Sequence, residues 1–329
     1  MASTPNETHL SLYDSSHVIL HDSVASNLQI TRSVLYTMGF RNFEQSQNLL
    51  ALKELLERSS FDLLLIDCTQ DIEGVSNLIK KIRFGDVGLN PYLVIVATAW
   101  TLSNMLVRNV IDAGADDLIG RPYATDNMMK RLNSHIELRK RFVVTSDYVG
   151  PDRREASRSS QDGNLIDVPN SLRAKVKKEY TSETEAAAAI ELTKAAITAE
   201  KMRRQAFQIG VISRLLGDTT SISKTSKQGK GSAVGIELGT LVMLTDDLDR
   251  RVMQTDFSHA GDLCSSLLDV AKSLSQAHSA NEGFIKKDLA LLTKLSTGLQ
   301  IAFNPGSNES SITSDIAEVI SGRNLSVAS

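Results

Sequence analysis

The segment from Phe61 to Asp67 is the feature that most constrains the fold of this 329-residue chain. It reads Phe-Asp-Leu-Leu-Leu-Ile-Asp, so large aliphatic residues follow one another without the alternation of a half-exposed strand. Such a run is typical of a strand buried on both faces of a parallel sheet. It ends on the carboxylate of Asp67, and ligands of open α/β sheets bind beyond the carboxyl ends of the strands. The segment therefore predicts a parallel sheet with a charged group at its functional edge.

Strand-like and helix-like segments alternate through residues 17–140. Short apolar strands are predicted at 18–20, 92–97 and 117–120, with a weaker one near 40–43. Helical periodicity separates these strands, and glycines stand where two of the helices should end. The pattern predicts about five βαβ units. The expected fold is α/β, a five-stranded doubly wound parallel sheet of the flavodoxin-like type.

The composition changes after residue 141. Prolines, serines and clustered arginines over 142–171 predict a basic, polar and exposed linker. Leucines recur every three or four positions over 172–325, which predicts an all-α output or dimerisation domain such as a bundle or coiled coil. Its first part fits either one long helix or two helices broken near 180–183, and a Ser/Lys/Gly loop is predicted at 219–235. The polar residues 1–14 predict a disordered tail.

Composition also limits the classes of function. The net charge of −3 argues against binding nucleic acid through bulk electrostatics. Cys68 and Cys264 lack the spacing of a zinc site or a disulfide framework, which indicates a reducing compartment. No apolar run approaches the ~20 residues that span a bilayer, and the N-terminus lacks the pattern of a signal peptide. We therefore expect a cytoplasmic protein without a membrane span.

Four polar positions follow four of the predicted strands: Asp22, Asp67, Thr98 and Arg121. In one doubly wound sheet these strand ends converge on a single crevice. Two carboxylates can hold a hard divalent cation such as Mg²⁺. One carboxylate can also attack phosphorus, while a hydroxyl and a guanidinium contact the phosphoryl oxygens.

This ordered set resembles the receiver domain of two-component response regulators over about residues 15–141. The resemblance rests on the acidic end of the first strand, Gly39-Phe40 after the first helix, the apolar run into Asp67, Thr98-Ala99, and Arg121-Pro122-Tyr123. The segment Tyr148-Val149-Gly150-Pro151-Asp152-Arg153-Arg154 is also similar to segments that follow receivers in some bacterial regulators.

The resemblance implies a bacterial signalling protein of a phosphorelay system and not an enzyme. Asp67 would accept a phosphoryl group, Asp22 and Asp67 would hold Mg²⁺, and Thr98 and Arg121 would contact the phosphate and switch the domain. The implied partners are a sensor histidine kinase or phosphotransfer protein, a downstream protein target and a second copy of the chain. No nucleic-acid partner is expected.

The sequence departs from the receiver pattern at three places. Ser23 stands where a second acidic residue is usual; in an alternative register His21 takes that place, and either way one carboxylate remains. Arg121 replaces the usual lysine, and the loop after Asp67 lacks the usual Met-Pro. One carboxylate fewer predicts weaker Mg²⁺ binding. The main alternative is therefore a pseudo-receiver, a phosphorylation-independent binding adaptor.

A flavodoxin-like FMN carrier shares the expected fold and is a further alternative. It would need a phosphate-cradling loop after the first strand, where the sequence instead has Asp22-Ser23-Val24.

Overall fold

The structure is a computed structural model that describes residues 13–153, 165–179, 182–222, 230–280, 284 and 286–304. The chain divides into two compact units, Met1–Ile197 and Thr198–Ser329. Each unit has its own hydrophobic core.

A five-stranded sheet forms the centre of the first unit. Its strands are His17–His21 (β1), Asn42–Ser46 (β2), Leu63–Asp67 (β3), Val94–Ala99 (β4) and Asp117–Gly120 (β5). All neighbouring strands are parallel, in the order β2-β1-β3-β4-β5. This is the flavodoxin-like doubly wound order. The predicted fold class is therefore confirmed, including the weaker strand, which lies at β2.

Five helices connect and cover the strands. They are Ala25–Met38 (α1), Leu49–Arg58 (α2), Ile72–Arg83 (α3), Asn104–Asp112 (α4) and Thr125–Glu137 (α5). Buried side chains of α2, α3 and α4 pack on one face of the sheet, and those of α1 and α5 on the other. Because both faces are covered, every residue of β3 is buried. That double burial explains the unbroken aliphatic run in the sequence.

The described residues of the predicted linker, 142–153 and 165–171, differ from the exposed segment that the composition predicts. Strands Phe142–Val144 (β6), Val149–Pro151 (β7) and Leu165–Ile166 (β8) form an antiparallel sheet, and helix Ser171–Lys177 (α6) follows. Phe142, Val144 and Val149 are buried in a cluster with Tyr92. Strands of two or three residues are too short to produce a periodic hydrophobic signal, so prolines and serines dominate the local composition.

Residues 142–153 and 165–177 are called the extension below. A buried ion network joins the extension to the sheet. Arg83, whose side chain is fully buried, pairs with Asp116 at 2.6 Å and donates to the Gly114 carbonyl at 2.8 Å. Arg139 pairs with the other oxygen of Asp116 at 2.9 Å. Arg153 donates to the backbone carbonyls of Ala115 and Asp116. Arg153 therefore anchors the extension at the start of β5.

The second unit is helical, as predicted. It contains the part of helix Glu183–Ile222 (α7) that starts at Thr198, helices Lys230–Val252 (α8), Gly261–Ser279 (α9) and Lys286–Phe303 (α10), and a 3₁₀ turn at Ser258–Ala260. Leucines of all four helices share its core. Among the described residues, no helix is long and apolar enough to cross a membrane.

The helix boundaries show how many helices precede residue 222 and how long the loop predicted at 219–235 is. Lys178 has a left-handed backbone after α6, so the chain forms two helices, α6 and α7, before residue 222. The predicted loop at 219–235 is shorter, because α7 continues to Ile222 and α8 begins at Lys230. The disordered tail predicted over residues 1–14 lies outside the described residues up to residue 12, whereas Tyr13 is buried and packs on Phe40.

Candidate functional site

The four predicted site residues meet at the carboxyl ends of the strands. Asp67 is the last residue of β3 and lies beside Thr98 of β4 in register. Asp22 follows β1, and Arg121 follows β5 with a cis peptide bond to Pro122. Strand order alone brings these positions to one crevice, because β1, β3, β4 and β5 are consecutive neighbours in the sheet.

The carboxylate of Asp67 accepts hydrogen bonds from two threonines. Thr98 Oγ1 donates to Asp67 Oδ2 at 3.3 Å. The Thr69 amide donates to Oδ1 at 2.9 Å, and its hydroxyl donates to Oδ2 at 3.2 Å. These contacts fix the orientation of the carboxylate, with Oδ2 towards Thr98 and Arg121.

Arg121 bridges both carboxylates. Its Nη2 lies 3.1 Å from Asp22 Oδ2, and its Nε lies 3.4 Å from Asp67 Oδ2. Nε and Nη2 each also donate to Thr98 Oγ1 at 3.2 Å. All these side chains are at most 6% exposed, so little solvent screens the interactions. One guanidinium thus compensates one of two neighbouring negative charges.

Asp22 is the other buried carboxyl group of the site. Burial raises the pKa of its carboxyl group, and the charge of Asp67 adds to that effect; the Val24 amide, Arg121 and Asn27 act in the opposite direction. Asp22 Oδ1 accepts the Val24 amide at 2.9 Å. Within the described chain, Asp22 Oδ2 has no hydrogen-bond partner, although Arg121 lies close enough for an ion pair. A buried acceptor of this kind is suited to a cation or water ligand.

Sequence reasoning missed Thr31. This residue lies on the buried face of α1, between Leu28 and Leu35, and its hydroxyl accepts Arg121 Nη2 at 3.3 Å. The same hydroxyl pairs with the Tyr123 hydroxyl at 2.9 Å. The sequence does carry a signal for Thr31, because it is a polar residue among the apolar residues of one helix face. A buried polar group of this kind requires a hydrogen-bond partner.

Thr69 and Trp100 also belong to the site, and sequence reasoning did not identify them. Thr69 binds Asp67 as described above, and its hydroxyl accepts the Trp100 amide at 3.3 Å. The Trp100 ring is 51% exposed, with its centroid 6.0 Å from Arg121 Cζ. Both residues lie in loops after strands, where no periodic pattern marks a contact.

The donor set fits a Mg²⁺ ion of low affinity. Among the described residues, no group of three or more His, Cys, Asp or Glu side chains is arranged to hold a metal. Ser23, the residue after Asp22, is exposed. Mg²⁺ is nevertheless commonly bound by one or two carboxylates together with water and substrate phosphate. Asp22 and Asp67 are two such carboxylates, and Asp22 Oδ2 is not hydrogen-bonded within the described chain.

No protein-family model matches the sequence, and a search of curated proteins finds no match. The solved structures similar to this chain include receiver domains and response regulators. A signal receiver domain of a histidine kinase from Clostridium thermocellum is 15% identical, with a TM-score of 0.35 over 38% of this chain and 99% of that one. A response regulator from Thermotoga maritima is 23% identical, with a TM-score of 0.32 over 36% and 96%.

The receiver domain of a sensor histidine kinase from Pseudomonas aeruginosa PAO1 is 19% identical, with a TM-score of 0.32 over 36% of this chain and 94% of that one. That structure has a magnesium ion coordinated in its active site cleft. Strand order β2-β1-β3-β4-β5 and the convergence of the strand ends are features of this chain's own structure. Residues 17–137 have the doubly wound parallel fold of the flavodoxin-like type.

Proposed function

We propose that this chain is a response regulator of a phosphorelay, in which Asp67 accepts a phosphoryl group and the helical unit interacts with protein targets. The observation that carries the proposal is the shared contact at Asp67 Oδ2, where the Thr98 hydroxyl and the Arg121 guanidinium both lie within 3.4 Å. A buried carboxylate next to a hydroxyl donor and a permanent cation is the set that phosphoryl transfer requires.

In the proposed reaction, an oxygen of Asp67 attacks the phosphorus of a phosphohistidine on a sensor histidine kinase or phosphotransfer protein. A P–O bond forms as the P–N bond breaks, and the electron pair of that bond stays with the histidine nitrogen. Arg121 compensates charge on the phosphoryl oxygens, and Thr98 donates a hydrogen bond to one of them. Mg²⁺, held by Asp22 and Asp67 when bound, supplies further charge neutralisation.

Acceptance of the phosphoryl group would change the partners of Thr98 and Arg121. Both contact Asp67 directly, and Arg121 also contacts Thr31 of α1. A phosphoryl group attached to Asp67 would compete for the same donors and so alter the contact with α1. This competition supports a switch that acts on a protein surface.

Labelling of the full chain with acetyl phosphate and Mg²⁺ tests the proposal. We expect intact-mass spectrometry to show addition of one phosphoryl group, which Asp67→Asn abolishes. Asp112→Asn, at an exposed carboxylate at the end of α4, is the matched control and should label as the wild type does. Absence of any label or of beryllofluoride binding in the wild-type chain would contradict the proposal.

A second candidate is the pseudo-receiver, and the bridge that Arg121 forms between Asp22 and Asp67 favours it. In that role the guanidinium stands permanently in place of a metal, and the domain binds partners without phosphorylation. Ser23→Asp distinguishes the two candidates, because it adds a carboxylate where receivers usually have one. A pseudo-receiver would acquire label only in Ser23→Asp. If the chain is a response regulator, the wild-type protein is already labelled, and Ser23→Asp is labelled at a lower Mg²⁺ concentration.

A further inference from the structure

A basic cleft lies at the opposite end of β5 from the candidate site. Asp117 begins β5 at the cleft, whereas Arg121 follows the other end of the strand. The cleft has a volume of about 220 Å³. Its ionisable lining residues are Asp116, Asp117, Arg131, His135, Lys140 and Arg153. They lie on β5, on α5, and in the segments just before β5, after α5 and after β7, all within the first unit.

Both carboxylates of this cleft are already paired. Asp116 binds the buried Arg83 and Arg139 at 2.6 and 2.9 Å. Asp117 binds Arg131 at 2.8 Å and lies 3.3 Å from His135 Nε2. No negative charge of the lining is therefore left to balance its other cations.

Two cations of the lining have no carboxylate partner in the described part of the chain. Arg153 Nη2 donates to the carbonyls of Ala115 and Asp116, which carry no net charge. Lys140 is exposed, and none of the ion pairs among the described residues includes it. Two uncompensated positive charges in one concave surface attract an anion and favour a dianion.

The size of the cleft limits the ligand. Pockets for whole organic ligands commonly enclose about 300–1,000 Å³, and this cleft is smaller. We propose that it binds the phosphate group of a small molecule, either inorganic phosphate or a small phosphomonoester. The dianion pairs with Lys140 and Arg153. Because Arg153 belongs to the extension and Lys140 follows α5, binding ties the extension to the end of α5 and stabilises the first unit.

Isothermal titration calorimetry of the full chain with inorganic phosphate, above its second pKa, tests the proposal. We expect saturable one-to-one binding that sodium chloride at matched ionic strength does not reproduce. Lys140→Gln should weaken binding about tenfold, in line with loss of one charged hydrogen bond. Lys140 makes no ion pair with a described residue, so this variant should fold normally, and Arg153→Gln serves as a second variant.

Lys81→Gln, at an exposed lysine of α3, is the matched control and should bind phosphate as the wild type does. Asp67→Asn should also retain binding, which separates this cleft from the phosphoryl-acceptor site. A parallel titration with a sugar phosphate separates the sources: tighter binding indicates a phosphorylated metabolite, and equal binding indicates inorganic phosphate. Unchanged affinity in Lys140→Gln, or an equal response to chloride, would overturn the proposal.

Discussion

Arg121 determines the electrostatics of the candidate site at the scale of single residues. It is the common partner of Asp22, Asp67 and Thr98, and it reaches Thr31 on α1. A guanidinium can make these contacts at once because it presents several donors in one plane. The compact ammonium of a lysine would hold fewer of them. Arg121 is therefore the single cation around which the side chains of the site are arranged.

Arg121→Gln should destabilise the first unit by about 3 kcal/mol, because it leaves two buried carboxylates without their cation. Chemical denaturation at pH 7 measures this change. Asp22→Asn in the same background should recover part of the loss, since one of the unpaired charges is then removed. Lys53→Gln, which breaks an exposed pair with Glu57, is the control, and its cost should stay below about 1 kcal/mol. Equal costs would show that Arg121 is not a buried counter-ion.

Asp116 and Asp22 contribute to stability with opposite dependence on pH. Burial alone would raise the pKa of Asp116, but Arg139 and Arg83 outweigh it and lower that pKa to about 2. A lowered pKa in the folded state stabilises the fold above about pH 4 and loses that effect as pH falls towards 2. The pKa of Asp22 is raised by burial. Its contribution is present at low pH and is lost as pH rises through the folded pKa.

Asp116→Asn should therefore reduce the loss of unfolding free energy that the wild type shows as the pH falls. Its free energy of unfolding should change less than that of the wild type between about pH 4 and pH 2. At pH 7 the variant should be less stable by about 3 kcal/mol, because Arg83 and Arg139 lose their buried carboxylate. Urea titrations across this pH range measure both effects. Asp112→Asn is the control, and an equally flattened profile in it would contradict the assignment.

At the scale of elements, polar contacts set how the helices of the second unit pair. Asp247 of α8 accepts Gln205 at 2.7 Å and Lys201 at 3.0 Å, both from α7. Burial raises the pKa of Asp247, but these donors and Arg251 outweigh it and bring the pKa well below its usual range. A half-buried charge with several donors fixes the register of two helices that leucine packing alone would leave less specific.

Gly210 permits the close approach of α7 and α10. A Cβ at this position would lie 2.0 Å from Gln300 Nε2, and Gln300 is buried. Gly210→Ala should therefore cost about 1 kcal/mol or more in thermal or urea unfolding, although alanine is the better helix former by about 1 kcal/mol.

The effect of Gly210→Ala should reverse in a Gln300→Ala background, where the added methyl group meets no side chain. Gly239→Ala on α8 is the matched control, because a Cβ there meets nothing within 4 Å. That control should stabilise the protein by up to about 1 kcal/mol. Destabilisation by Gly239→Ala of the same size would rule out the contact with Gln300 as the cause.

At the scale of the whole molecule, the first unit does not end at the fifth helix of the doubly wound fold. Phe142, Val144 and Val149 share a core with Tyr92 and with Ile190 and Ile197 of α7. Lys175 of α6 pairs with the buried Asp62 at 2.8 Å, and Ser171 accepts Asn90 at 3.0 Å. The extension is therefore a structural part of the first unit, which continues to Ile197.

Residues 1–197 should consequently unfold in one cooperative transition, whereas residues 1–141 should be less stable by about 5 kcal/mol or more. The estimate reflects loss of three buried side chains, Phe142, Val144 and Val149, at roughly 1.5–3 kcal/mol each. Differential scanning calorimetry of the two fragments measures the difference. Equal unfolding midpoints of the two fragments would show that the extension does not stabilise the five-stranded sheet and its helices.

The sequence alone predicted the parallel sheet and the location of the four candidate residues at the ends of its strands. Its signals there are local: a doubly buried strand such as β3 appears as an aliphatic run, and the residue that ends it marks the functional edge. Thr31 and Thr69 were not predicted, because their contacts with Arg121 and Asp67 depend on how a helix face and a loop meet the strand ends.

The amino-acid sequence by itself determined the alternation of strands and helices, the positions of Asp22, Asp67, Thr98 and Arg121, and the helical character of the second half. Only the tertiary structure decided that Arg121 bridges both carboxylates and that residues 142–177 belong to the first unit. The physical reason is the separation in sequence between the residues that interact. Periodic burial is written into neighbouring residues, whereas ion pairs such as Arg83–Asp116 join residues far apart in sequence and depend on the packing of elements around them.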